Sequence, residues 1–145
     1  MSQSIGLEAA NTICRAAFAM GAELKLKPLT VAVLDAGGHL IALQRQNGAS
    51  TLRPQIACGK AAGALGLGMS SRKIAEMAAE RPSFVGALAS ISPNGVLPAA
   101  GGLIVVNPQG VAIGAVGISG DTSDNDELCA TAGIAAAGLA AQPAV

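Results

Sequence analysis

Charge is scarce in this sequence: 12% of its 145 residues are charged, and nine lysines and arginines balance nine aspartates and glutamates. That balance supplies none of the positive field that polyphosphate binding needs, which argues against nucleic acid as a partner. Tryptophan and tyrosine are absent, and Phe18 and Phe84 are the only aromatic residues. The stacking platforms of single-strand binders are missing with them. The three cysteines, Cys14, Cys58 and Cys129, are odd in number and show no CxxC spacing. They predict buried thiols in a reducing compartment, not a disulfide frame. Polar residues interrupt every apolar run before it reaches membrane-spanning length, and the N-terminus has no basic region followed by an unbroken apolar stretch. The expectation is a soluble, cytoplasmic protein with no membrane contact. So few charges leave apolar faces that water does not cover, and such faces predict a homo-oligomer.

What is present reads as one α+β domain over residues 1–145, long enough to bury its own core. Leu7, Ala10, Cys14, Ala17 and Gly21 recur at helical steps and predict a helix over 5–25. Two runs of β-branched and aliphatic residues, over 29–46 and 101–119, are each divided by a turn, Gly37 and Gly38 in the first and 107–110 in the second. Both predict β-hairpins. Between them, 51–80 predicts two helical pieces. Thr51 would cap the first, Gly66 and Gly68 would end it, and Ser70 or Ser71 would cap the second. A short helix is predicted over 83–92, and a last helix follows Ser123 as its cap. No internal repeat is apparent. Two hairpins cannot cover their own apolar faces, so the simplest fold is one mainly antiparallel sheet flanked by helices.

Three features carry candidate chemistry. In "GISGDTSDNDE", residues 117–127, a strand end turns through glycine into four carboxylates. Asp124 to Glu127 suit a helix N-terminus, where they offset its partial positive charge, while Gly117, Ser119 and Gly120 could open backbone N–H groups to an anion. Asp121, Ser123 and Asn125 stand at calcium-loop spacing, but the glycine and the closing glutamate of that loop are missing. Arg53 and Lys60 lie two helical turns apart and share one face, which suits either internal ion pairing or the grip of an anion. His39 is the only histidine, available as an iron ligand or a proton carrier. A polar cleft is expected in which Arg53 and Lys60 approach the 117–121 turn, with Asp121 paired to Lys60 or accepting a proton.

The stretches "TVAVLDAGGHLIALQRQNGA", "IACGKAAGAL", "GGLIVV", "GVAIGAVGISGDTSDNDE" and "AGIAAAGL" together resemble the GlcG/HbpS-like family, the haem-degrading or DUF336 domain found also at the C-terminus of PduO-type proteins. Their order and spacing carry the likeness, which runs from about Leu7 to Leu139. The resemblance implies a central antiparallel sheet flanked by helices, assembly as dimers and often octamers, and haem as a cofactor. PduO-type domains carry a histidine near the first helix; this chain has none there, so haem would be met by His39, by Cys14 or by interfacial contacts, with His39 the best available metal ligand.

Two functions are compatible with these residues. One is an oligomer binding haem or a related tetrapyrrole, with Arg or Lys on the propionates. The other is a small enzyme of a catabolic pathway acting on a compact carboxylate, anchored by Arg53 and Lys60, with Asp121, Asp126 or His39 moving a proton.

Overall fold

The computed structural model describes residues 4–144. Helix α1 (Leu7–Glu23) leads into the hairpin of β1 (Thr30–Asp35) and β2 (Leu40–Arg45), and three helices follow: α2 (Arg53–Leu67), α3 (Ser71–Glu80) and α4 (Pro82–Leu88). The second hairpin, β3 (Gly102–Val106) and β4 (Ala112–Ser119), precedes α5 (Ser123–Ala136) and a two-residue strand, β5 (Ala140–Ala141). The five strands form one antiparallel sheet in the order β2-β1-β4-β3-β5. The hairpins therefore meet through β1 and β4, which makes these the central strands.

Strand alternation divides the core between two faces. Val31, Val33, Val116 and Ile118 point to one side and pack with Ile13, Cys14 and Ala17 of α1 and Cys129, Ala130 and Ile134 of α5. Leu34, Ile104 and Ala115 point to the other, where α2 packs with the buried Ala61 and Ala64 and the partly buried Ala62 and Leu65. Small residues on both surfaces let α2 lie close to the sheet. A Cβ placed on Gly117 would fall 2.0 Å from the carbonyl oxygen of Ala57.

Four local expectations shift. Helix α2 starts at Arg53 behind Leu52, with no side-chain cap, so Thr51 does not cap it. Helix α2 also runs through Gly66; Gly68, at φ 73°, ends it. Helix α5 is capped by Thr122, whose hydroxyl accepts the Asn125 N–H, and Ser123 becomes its first helical residue. Strand β5 lies in what the sequence shows only as an alanine-rich tail. There Val105 and Val106 pair with Ala141 and Ala140, because Gly138, at φ 73°, turns the chain back onto the β3 edge. Among the described residues no helix is long and apolar enough to cross a membrane.

Candidate functional site

The face shared by Arg53 and Lys60 comes to the end of β4, as their spacing predicts. Arg53 Nη1 donates to Ser119 Oγ at 2.9 Å, and Lys60 Nζ donates to the Ile118 carbonyl oxygen at 2.9 Å. The carboxylate that joins them is Asp126, whose Oδ2 accepts from Lys60 Nζ at 3.1 Å. Lys60 and Asp126 are 3% and 1% exposed, so this pair is sealed between α2, β4 and α5. Burial pushes the Lys60 ammonium below the usual lysine value, with Asp126 pulling against it.

Asp121 is placed elsewhere, which corrects its expected pairing with Lys60. Its Oδ1 accepts the Lys27 N–H at 3.0 Å and its Oδ2 accepts from Asn125 Nδ2 at 2.8 Å. Its own N–H donates to Asp126 Oδ1 at 2.9 Å. The other two carboxylates of the run, Asp124 and Glu127, both meet Arg72 on α3. Every acidic side chain of residues 121–127 thus ties α5 to another part of the chain as well as complementing the helix N-terminus. Gly117 and Gly120 serve close approach: a Cβ on Gly120 would fall 2.3 Å from the Pro28 carbonyl oxygen. Among the described residues no group of three or more histidine, cysteine or acidic side chains could hold a metal ion.

The hydrogen bonds from Asn125 and then Lys27 hold the Asp121 carboxyl down to about 2, below its ordinary 3.8. A depressed carboxyl contributes stability above its unfolded value, and that contribution is lost as pH falls through the folded one. Urea titrations from pH 5 to about pH 2 should therefore show a shallower acid limb for Asp121→Asn than for the parent. Identical limbs would mean that the clamp on Lys27 contributes nothing.

His39 stands at the opposite end of the sheet from Arg53, roughly 17 Å away along β1 at 3.4 Å per residue. Its side chain is 82% exposed, and Nδ1 lies 3.2 Å from Asp35 Oδ1. That oxygen also accepts the N–H groups of Gly37 and His39, each at 2.9 Å. These bonds, the backbone one from His39 foremost, hold the Asp35 carboxyl below its usual range. An ionised carboxylate only accepts, so Nδ1 is the ring nitrogen that donates to it, and Nε2 has no hydrogen-bond partner among the described residues. Gly37 makes room for the ring, since a Cβ there would meet it at 2.8 Å. Beside the imidazole is a hollow of about 280 Å³ lined by Leu34, Leu40, Cys58 and Asn94. A second, of about 320 Å³, adjoins it through Gly38 and Asn94 and is lined by Ala62, Leu65 and Pro93. Cys14 has no such access: it is fully buried under α5, and burial pushes its thiol up to about 11.

Sequence reasoning passed over Asp35 and Cys58. The first had a signal, since an aspartate four residues before a histidine across "DAGGH" can fold back on it. The second had none, because its place beside His39 depends on how α2 crosses the first hairpin.

A family model described as "Haem degrading protein HbpS-like" matches residues 5–135. An uncharacterized 15.0 kDa protein from the dhaT-dhaS intergenic region of Citrobacter freundii is 32% identical over 127 residues, covering 88% of this chain and 87% of that protein. The crystal structure of HbpS superposes with a TM-score of 0.80 at 30% identity, over 93% of this chain and 91% of that one. A PduOC:haem complex superposes with a TM-score of 0.85 over 97% of this chain and 99% of that one; at 24% identity this likeness is one of fold.

Proposed function

This chain belongs to the HbpS-like family, and from that premise we propose that it binds haem or a related tetrapyrrole as a homo-oligomer, with the hollows beside His39 as the seat of the macrocycle. One observation carries the reading: the side chain of the only imidazole is 82% exposed while a carboxylate holds it through Nδ1. Ligating histidines are commonly oriented in this way by a second partner. The surroundings suit an apolar ring, since Leu34, Leu40 and Cys58 line the hollow and Leu43 continues the apolar surface along β2. His39 would hold the iron and Asp35 would keep its ring in place. Bound haem would supply its own ligand and redox chemistry.

The uncovered apolar surface supports the homo-oligomer. Leu40 is 52% exposed on the outer strand beside the hollow, and Ile91 is 78% exposed beyond α4. A second subunit over β2 would close the open side of the site. Light scattering should report an assembly at micromolar concentration, and a monomer there would contradict this part of the reading.

Haem titrated into the purified protein should give a displaced Soret band that is lost or shifted in His39→Ala. Asp35→Asn should weaken binding by less, since it frees the ring without removing the ligand. An unchanged spectrum and affinity in His39→Ala would remove His39 from the site and overturn this reading. The alternative, a small catabolic enzyme for a compact carboxylate, has fewer residues to draw on than the sequence implies. Lys60 and Asp126 are committed to each other, and Asp121 to Lys27 and Asn125. An anion would be met by Arg53 and Ser119.

A further inference from the structure

One row of side chains runs across the α2 face of the sheet where the strands end. Arg45 of β2 pairs with Thr30 of β1, and Thr30 pairs in turn with Ser119 of β4. Directly cross-strand side chains on one face lie within reach of each other. Over this row stands the start of α2, where Arg53 holds Ser119 Oγ through Nη1 and Ser50 Oγ through Nε. Arg45 is held by the Ala49 carbonyl oxygen, 2.8 Å from its Nη1, so both guanidiniums are fixed by adjacent residues of one loop.

Two properties set the row apart. Neither arginine meets a carboxylate among the described residues, although every acidic group from Asp121 to Glu127 has a partner. The first turn of α2 holds no acidic residue and its start has no side-chain cap, so the helix dipole adds to the positive potential. Independently, Thr30 is fully buried and its Oγ1 has no hydrogen-bond partner among the described residues. A buried hydroxyl left unpaired costs free energy, and here it stands between Arg45 and the serine that Arg53 holds.

We propose that Arg45, Arg53, Thr30 and Ser119 form a subsite for one carboxylate group. Planar guanidinium forks match a carboxylate, and the two hydroxyls can donate to the same oxygens. A phosphate suits the site less well. The Arg53 and Ile56 N–H groups are already bonded to the carbonyl oxygens of Ser50 and Leu52, and Pro54 has no N–H, so α2 offers little of a backbone cradle. The carboxylate belongs either to a free small acid or to a propionate of a bound tetrapyrrole. The subsite itself does not rest on iron ligation by His39.

Acetate titrated at constant ionic strength, with chloride as the balancing anion, should shift the Arg53 Nε–Hε resonance saturably. Arg53→Met should raise the melting temperature less on acetate addition than the parent does, with a dissociation constant roughly tenfold or more weaker. Thr30→Val keeps the shape and removes the hydroxyl. It should weaken acetate binding while leaving the unliganded protein as stable as the parent or more so. Acetate that competes with haem places a propionate in the subsite, and acetate that binds without competing assigns it to a free acid. Loss of haem binding with acetate binding intact would sink only the haem reading. No saturable acetate response, or equal affinity in the parent, Arg53→Met and Thr30→Val, overturns the subsite.

Discussion

Replacing Lys60 with methionine should lower the unfolding free energy by about 3–5 kcal/mol, the usual effect of removing one partner from a buried ion pair. Methionine keeps much of the length of lysine, so little volume is lost and the change is mainly electrostatic. It would leave the buried Asp126 carboxylate with the Asp121 N–H as its one remaining partner among the described residues, and would strip the Ile118 carbonyl oxygen of the Lys60 donor. Lys60 itself is only 3% exposed, so water does not take its place beside the carboxylate in the folded protein. The double variant Lys60→Met/Asp126→Leu removes the stranded charge and should recover most of the loss, because apolar packing often replaces a buried pair at little cost. Urea unfolding of the two single variants and the double variant measures the coupling directly. A Lys60→Met protein within about 1 kcal/mol of the parent would mean that Lys60 is solvated, as exposed pairs are, and free to serve a ligand.

The hairpins were legible because each combines β-branched runs with a glycine that must adopt positive φ, Gly38 at 85° and Gly110 at 80°. The helix starts were legible to within a residue or two. Thr51, Thr122 and Ser123 have equal chemistry for a cap, and only the path of the incoming chain chooses among them. Strand β5 left no trace, since two alanines carry no β signal and their pairing comes from the open edge of β3. Within the candidate site, the common face of Arg53 and Lys60 follows from helical spacing alone. The choice of Asp126 over Asp121 as the lysine's partner also has a signal in the sequence: Asp126, Cys129, Ala130 and Gly133 form one stripe of α5, and all are buried. A carboxylate heading such a stripe must find a cation inside. The Arg45–Thr30–Ser119 row was beyond reach because it depends on the strand order β2-β1-β4, which joins residues from two separate hairpins.

Gly117→Ala should be among the most damaging single-methyl additions in the protein. Taken alone, alanine loses less backbone freedom on folding than glycine, a gain of roughly 0.5–1 kcal/mol. Packing reverses the sign. The added Cβ would lie 2.0 Å from the Ala57 carbonyl oxygen and 2.9 Å from the Ala61 nitrogen, and both are backbone atoms of α2 that no rotamer change can move aside. Relief requires the whole helix to lift from β4. That would stretch the Arg53–Ser119 and Lys60–Ile118 hydrogen bonds, both anchored within two residues of Gly117. Overpacking against adaptable side chains costs about 1–3 kcal/mol, and against a rigid helix the loss should exceed about 3 kcal/mol. Gly66→Ala supplies the control. It lies in the same helix with nothing within 4 Å of its added Cβ, and should stabilise the protein by about 0.5–1 kcal/mol. The comparison also separates two roles for the turn after β4. If Gly117 served to open its N–H to a ligand, alanine would leave the fold intact and change binding alone. If it serves as the contact that seats α2, unfolding moves to lower urea before any ligand is added. A Gly117→Ala protein as stable as the parent would mean that α2 does not rest on β4 at this point, and the placement of Arg53 over Ser119 would fall with it.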